Sequence, residues 1–258
     1  VYLLDEPEVF ATRSAEQIGK EIGVSESTVI RFCQALEYRG FSQLQKDIQA
    51  YLFNSKSSLQ AYQKENQEIE NEPKFFERVM LRDQNNIIRT IAHLNEEDFQ
   101  LAVKKLSDSD NIIVSGMRTS YAMAHWFTFT MDVLRGNTRM FRPYSDDLIL
   151  YLTSVNENSV FVAFSFHRYA LETIRLVKEF KNRGAFIIGF TDSVISPIGE
   201  YADIVFSANL EVKSTFDAAP VTFSFLNALT AGVSLQNKDR LDERQKKYES
   251  YHLKDFFL

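Results

Sequence analysis

Three loops in the second half of the sequence carry hydroxyl and basic side chains just after apolar runs that are typical of buried strands. Backbone N–H groups at a helix N-terminus, together with nearby hydroxyls, are suited to binding phosphate. Because parallel sheets bind ligands beyond the carboxyl ends of their strands, we expect these loops to converge on one edge. The predicted anion site consists of Gly116, Arg118, Thr119, Ser120, Ser165, His167, Arg168, Thr191 and Ser193.

A second set of polar side chains lies on one helical face near the N-terminus. The helical spacing of Val29, Phe32, Cys33 and Leu36 predicts an inward apolar stripe. At about 100° per residue the opposite face is polar, and in DNA-binding helices such a face reads base edges, with arginine donating two bonds to guanine. The predicted DNA-contacting residues are Ser27, Arg31, Gln34 and Tyr38, with Thr28 on the flank and Lys20, Arg39 and Lys46 near the DNA backbone.

The elements that position this polar face form a helix-turn-helix pattern. Ser14 and Gln17 have the spacing of a capping box and open a helix that carries Ile18 and Ile22 inward. Gly23 interrupts the helix, and Ser25 can cap the next one.

The charge of this segment leaves two interpretations open. Residues 1–60 hold six basic and eight acidic side chains, a net charge of −2, whereas residues 20–46 have a net charge of +1. The formal charge of the whole chain is −6, so DNA binding requires a local surface rather than a bulk positive field. The alternative is a helical protein-interaction domain with a solvated face. We favour DNA binding, because a dimer doubles the contacts.

After residue 111 the pattern changes to short apolar runs that alternate with helical segments, which predicts a parallel sheet covered on both faces. The fold class is therefore multidomain, with an all-α N-terminal domain and a three-layer α/β C-terminal domain. The predicted strands are 111–115, 138–141, 159–164, 185–190 and 204–207, and the predicted helices between and after them are 119–134, 147–153, 169–183, a short helix after Ser196 and 220–235. The predicted domains are 1–55, a linker or solvated helix at 56–73, 74–240 and a C-terminal tail at 241–258.

Composition limits the compartment and the chemistry. A single cysteine, Cys33, forms no disulfide within the chain and supplies no metal cluster, so we predict neither a metal nor a cofactor. The apolar runs are shorter than the roughly 20 residues that cross a bilayer, and no export signal precedes them. We expect a cytoplasmic protein without membrane contact.

The N-terminal run SAEQIGKEIGVSESTVIRFCQALEYRGFSQLQKDI resembles the DNA-binding domain of RpiR-type bacterial transcriptional regulators. Residues of about 75–240 resemble the SIS, or sugar isomerase, domain, which has a flavodoxin-like sheet and usually follows that DNA-binding domain. The supporting residues are the 116–120 loop, Ser165, the stretch 181–193, Ser196-Pro197 and Ala202-Asp203. Because more sequence normally precedes this point in the family, the chain is expected to begin inside the first helix.

Two loops depart from the pattern of the SIS family. The first usually reads Gly-x-Gly-x-Ser, and its second glycine is Arg118 here. The second usually reads Ser-x-Ser-Gly-x-Thr, and its later serine, glycine and threonine are replaced by His167, Arg168 and Ala170. Two arginines in place of two glycines can offer charge-assisted bonds, so a variant phosphosugar site is expected.

The resemblance implies a transcriptional regulator of carbohydrate metabolism whose DNA binding is controlled by a phosphorylated sugar. Its expected partners are double-stranded operator DNA, that sugar, and a second copy in a homodimer or tetramer, with helix 220–235 and the helices after Pro73 as interface candidates. The alternative is a sugar-phosphate isomerase with His167 or Glu211 as its base, and a third possibility is a scaffold. His125 is expected to be a packed side chain. The sugar, the operator sequence and the sign of regulation do not follow from the sequence.

Overall fold

The computed structural model describes residues 2–54, 58–70, 72–211 and 214–250. The chain divides into two compact units, 1–63 and 64–258, and the division falls inside the predicted linker 56–73. The expected multidomain fold, helical first and α/β second, is therefore confirmed.

The N-terminal unit is helical, and its helices are α1 (Tyr2–Asp5), α2 (Pro7–Thr12), α3 (Ala15–Ile22), α4 (Glu26–Ala35) and α5 (Phe41–Asn54). The capping box at the start of α3 is confirmed, because the Gln17 N–H donates to Ser14 Oγ at 3.2 Å and the Ser14 N–H donates to Gln17 Oε1 at 2.9 Å. Gly23 ends α3 with a φ of 75°, which favours glycine, and the Ser25 hydroxyl caps α4. These features form the expected helix-turn-helix.

The core of this unit differs from the predicted stripe on α4. Val29 and Cys33 are buried, but Phe32 and Leu36 are each 45% exposed, and Ile22 on α3 is 42% exposed. Ile30 and Tyr38 pack against the core instead. The inner face of α4 is therefore centred between positions 29 and 30, which turns position 32 outward and removes Tyr38 from the polar face.

The C-terminal unit contains one parallel sheet, confirmed with the strand order β2-β1-β3-β4-β5 of flavodoxin-like folds. Its strands lie within one residue of the predicted ends: β1 (Asn111–Gly116), β2 (Thr138–Met140), β3 (Ser159–Phe164), β4 (Phe186–Thr191) and β5 (Ile204–Ser207). The helices are α7 (Phe75–Ala92), α8 (Glu96–Asp108), α9 (Ser120–Arg135), α10 (Leu148–Thr153), α11 (Leu171–Asn182), a 3-10 helix (Pro197–Glu200), α12 (Ala218–Gln236) and α13 (Lys238–Glu249).

Each face of the sheet has its own apolar core, so the architecture has three layers. One core joins the sheet to α8, α9 and α12 through side chains that include Leu106, Phe127 and Leu229. The other joins it to α10 and α11 through Phe161 and Phe180, whose rings stack at 4.1 Å. The two cores pack on opposite faces of the sheet.

The long helix α12 is apolar because it packs inside the protein. By length and composition alone it could cross a membrane, but eight of its residues are buried in the core. A Cβ on Gly232 would lie 2.8 Å from Val103 Cγ2 of α8, which shows how closely the two helices approach.

The two charged segments outside the predicted domains are largely helical. Within the predicted linker, Ser58–Glu68 forms α6. Lys238–Glu249, which runs into the predicted tail, forms α13, and Arg244 binds this helix to the end of α9 by donating from Nε to the Val133 carbonyl at 2.9 Å. The apolar end, Phe256, Phe257 and Leu258, lies outside the described residues.

Candidate functional site

The carboxyl ends of β1, β3 and β4 lie side by side in the sheet. Gly116 pairs with Phe164 and Phe164 pairs with Phe190, so the chain leaves all three strands at the same level. Neighbouring strands are about 4.8 Å apart. The loops 116–120, 165–170 and 191–193 are therefore adjacent, and together they are called the carboxyl edge below.

The first loop turns sharply into α9. A Cβ on Gly116 would lie only 2.6 Å from the Ser120 carbonyl oxygen, so a residue without a side chain is needed there. Ser120, the first residue of α9, is buried, while Thr119 before it is exposed and makes no side-chain cap. The N–H groups of Ser120 and Tyr121 donate to the Met117 and Arg118 carbonyls at 3.0 and 3.1 Å. The positive end of the α9 dipole lies at this turn and favours an anion there.

Both arginines of the carboxyl edge have left-handed backbone conformations. The φ of Arg118 is 56° and that of Arg168 is 64°, and both residues are exposed. These are the two positions at which the SIS pattern has glycine. The loops therefore keep a conformation that favours glycine while they present a guanidinium group.

Asp192 ties the second loop to the third. Its Oδ2 accepts from the His167 N–H at 3.2 Å, and its Oδ1 accepts from the Tyr169 hydroxyl at 2.9 Å. The Thr191 hydroxyl also donates to Asp192 Oδ1, at 3.3 Å, and Thr191 is buried. Thr191 is therefore engaged within the protein, and Asp192, which the sequence prediction missed, fixes the loop that carries His167.

Buried hydroxyls without partners accompany these loops. Ser165 Oγ and Ser196 Oγ are buried and make no hydrogen bond with any described residue. An unpaired buried hydroxyl is costly unless a ligand or water satisfies it. Ser193, three residues before Ser196, is half-buried.

The candidate bases of an isomerase differ in position. His167 lies on the carboxyl edge and is half-buried, whereas Glu211 is exposed and its N–H donates to Asn86 Oδ1 at 3.0 Å. The expectation for His125 is wrong, because this side chain is exposed and its ring stacks on Tyr121 at 6.0 Å. Its apolar neighbours in sequence lie on the inner side of α9.

The predicted DNA-contacting residues of α4 lie together on its exposed side. Ser27, Thr28, Arg31 and Gln34 are all exposed. Arg31 Nε donates to the Ser27 carbonyl at 3.3 Å, which holds the side chain along the helix. The hydroxyl of Ser25 lies 2.9 Å from that of Ser27 and 2.8 Å from that of Thr28.

The two flanking basic residues are also exposed. Lys20 forms an ion pair with Glu16 at 2.7 Å, and this hydrogen bond raises the pKa of Lys20. The N–H of Arg39 donates to Gln43 Oε1 at 2.8 Å, which fixes the turn before α5. Among the described residues, no cluster of His, Cys, Asp and Glu could hold a metal ion.

Comparison with known proteins agrees with both halves of this description. Residues 1–55 match the model of the helix-turn-helix domain of the rpiR family, and residues 105–232 match the SIS domain. An HTH-type transcriptional regulator of Haemophilus influenzae is 23% identical over 211 residues, which cover 79% of this chain and 70% of that protein.

Two solved structures share the fold. The sugar isomerase domain of an RpiR transcription factor from Sphaerobacter thermophilus has a TM-score of 0.61 and 20% identity, and the match covers 69% of this chain and 100% of that chain. The NanR protein of Vibrio vulnificus, complexed with ManNAc-6P, has a TM-score of 0.60 and 13% identity over 96% of this chain and 89% of that chain.

Proposed function

Because this chain belongs to the RpiR-type transcriptional regulators, we propose that a phosphorylated sugar bound at the carboxyl edge controls its DNA binding. The observation that carries the proposal is the meeting of three loops around the first turn of α9, beside the unpaired hydroxyl of Ser165. Helix N–H groups and hydroxyls are the donors that phosphate needs. The binding of ManNAc-6P by NanR, a protein of similar fold, supports this ligand class.

The proposed sugar site consists of the whole predicted set, with distinct roles. Gly116 permits the close turn, and the Ser120 hydroxyl at the positive end of the α9 dipole binds the phosphate. Thr119, Ser165 and Ser193 supply hydroxyls, and His167 is positioned by Asp192. Thr191 acts through Asp192 rather than on the sugar. The remaining members, Arg118 and Arg168, supply charge.

The proposed DNA surface is the exposed side of α4. Arg31 and Gln34 read base edges, while Ser27, Thr28, Lys20 and Arg39 contact phosphates.

Symmetric half-sites need two copies of this helix, so the active form is a homodimer or a tetramer. The oligomer has two arrangements that differ in DNA affinity. The sugar shifts the equilibrium between them by the difference between the sugar's affinities for the two arrangements. This function belongs in the cytoplasm, where operator DNA is present.

Thermal unfolding of the full chain tests the sugar site. A ligand at about 100 times its dissociation constant adds about 2.7 kcal/mol of stability, so the correct phosphosugar raises the melting temperature and its unphosphorylated counterpart does not. Ser120→Ala should reduce this shift, whereas Ser145→Ala, on an exposed loop, should leave it unchanged. The absence of any shift across a panel of phosphosugars contradicts the proposal.

Operator binding tests the DNA surface, with fragments selected from the genomic region around the gene. Arg31→Ala should weaken specific binding by about 1–3 kcal/mol, and Arg175→Ala, exposed on α11, should not. Addition of the phosphosugar found by thermal unfolding should change the affinity of the wild-type protein. Equal affinities with and without the sugar would show that the sugar does not control binding.

The same site is proposed to sense the sugar and not to convert it. The lone histidine of the carboxyl edge, His167, has its backbone held by Asp192, and the other candidate base, Glu211, has its backbone held by Asn86. Aldose–ketose isomerisation needs a base next to the sugar carbon. Incubation of the purified protein with phosphosugars should leave them unchanged, and catalytic turnover would favour the isomerase alternative.

A further inference from the structure

Two arginines with unfavourable backbone conformations stand on neighbouring strand ends. Arg118 follows β1 by two residues and Arg168 follows β3 by four, and both have φ values in the left-handed region, 56° and 64°. Residues with a Cβ rarely adopt this region, whereas glycine does so without strain. Glycine would therefore be the relaxed choice at both positions.

The positive φ values of Arg118 and Arg168 occur at the carboxyl edge, which indicates a functional role for these two residues. Among the described residues, the others with positive φ and a side chain are Glu37, Lys74 and Asn137, and each lies away from the carboxyl edge in sequence. Asn137 is also of a type that tolerates the region. Strained backbone persists where surrounding structure or function requires it, and two long cationic side chains at one ligand edge point to function.

The charge at this edge exceeds what one phosphate requires. The positive end of the α9 dipole and the hydroxyls of Ser120 and Ser165 already favour a phosphate. The Arg118 carbonyl accepts from the Tyr121 N–H at 3.1 Å, but the exposed guanidinium makes no hydrogen bond or ion pair with a described residue. The Asp192 carboxylate, on the adjacent loop, already accepts from His167 and Tyr169. The guanidinium of Arg118 is therefore available to an anion of the ligand.

We propose that Arg118 and Arg168 form a second anion subsite, so that the effector is a phosphorylated sugar carrying a further carboxylate or phosphate. This inference rests on the proposed function, since it assigns the ligand class of the same site. Guanidinium groups bind carboxylate and phosphate through paired, charge-assisted hydrogen bonds. The subsite explains why strained arginines occupy positions where glycine would be relaxed.

Calorimetric titration of the full chain with three probes tests the ligand class. The probes are glucose 6-phosphate, with one anionic group, 6-phosphogluconate, with an added carboxylate, and fructose 1,6-bisphosphate, with an added phosphate. At least one of the doubly anionic probes should bind about ten-fold or more tightly than glucose 6-phosphate, and the better of the two identifies the second group.

Arg118→Gly and Arg168→Gly test the residues, with Asn137→Gly as the matched control at another positive φ. Each arginine variant should lose at least ten-fold more affinity for the doubly anionic probe than for glucose 6-phosphate. Each should also keep or raise the melting temperature, because glycine relieves the strain. The control should bind as the wild type does.

The outcomes separate this inference from the proposed function. Equal binding of singly and doubly anionic probes, or unchanged affinity in both arginine variants, overturns the second subsite and leaves the phosphosugar site standing. If none of the three probes binds to the wild-type protein, the inference is overturned, and the thermal-unfolding panel of phosphosugars decides separately whether the proposed sugar site stands. A lower melting temperature in the glycine variants would show that the arginines serve the fold.

Discussion

Arg82 Nη2 donates to Asp217 Oδ1 at 3.3 Å and so joins α7 to the residue that precedes α12. The same guanidinium lies 2.8 Å from Glu65 Oε2 on α6, and all three side chains are at most 17% exposed. One cation therefore serves two largely buried carboxylates. It connects the end of the predicted linker to the loop that follows β5 at the carboxyl end of the sheet.

Arg82→Ala should destabilise the C-terminal unit strongly. Removal of the guanidinium that pairs with both Glu65 and Asp217 leaves two buried carboxylates without their cation, which costs about 3 kcal/mol or more. Chemical denaturation should show this loss, while Arg175→Ala, on the exposed side of α11, should change the unfolding free energy by less than about 0.5 kcal/mol. Similar losses in both variants would argue against an energetic role for the cluster.

The same cluster should give the protein a distinctive pH dependence. Burial raises the pKa of Asp217, and it also raises the pKa values of Glu65 and Asp83. A carboxyl group with a raised pKa binds its proton more tightly in the folded state. Its contribution therefore lowers the unfolding free energy as the pH rises from the ordinary carboxyl pKa of about 4 through the raised value.

Asp217→Asn should remove part of this effect. The unfolding free energy of the variant, relative to wild type, should increase between pH 4 and pH 8, because only the wild type then carries the buried charge. Denaturation curves at several pH values measure the difference. A constant difference across this range would show that Asp217 does not titrate as burial requires.

Local signals explain why much of the fold could be predicted from the sequence. Ser14 and Gln17 form their capping box within one helical turn, and the apolar strands between helices required a parallel sheet. The placement of the predicted sugar residues on one edge followed from the sheet, since parallel strands share their carboxyl ends.

The missed features depend on tertiary contacts. The exposure of Phe32 follows from how α4 packs on its neighbours, which spacing alone does not define. The binding of His167 and Tyr169 by Asp192 joins residues more than twenty positions apart. Glu65 lies in a polar segment whose composition predicts a linker or a solvated helix. It nevertheless pairs with Arg82, because α6 ends beside α7.

Gly116→Ala should disrupt the first loop of the carboxyl edge. The added Cβ would lie 2.6 Å from the Ser120 carbonyl oxygen and 3.0 Å from its carbon, so the first turn of α9 must move. We expect a loss of about 1–3 kcal/mol in stability and of the melting-temperature shift caused by phosphosugar. Gly40→Ala is the control, since its Cβ would meet no described atom within 4 Å. Full sugar binding by the Gly116 variant would place the phosphate elsewhere.

Truncation of α4 side chains tests which face of this helix is internal. Val29 is 4% exposed and Phe32 is 45% exposed. Val29→Ala removes only two carbon atoms but should lower the unfolding free energy by about 2 kcal/mol, because the side chain is buried. Phe32→Ala removes a whole ring but should lower the unfolding free energy by less than about 1 kcal/mol, because the ring is half exposed. Hydrogen exchange of the α4 amides measures both losses. An equal or larger loss for Phe32→Ala that grows with protein concentration would mean that a second copy covers Phe32, because only an intermolecular contact depends on concentration.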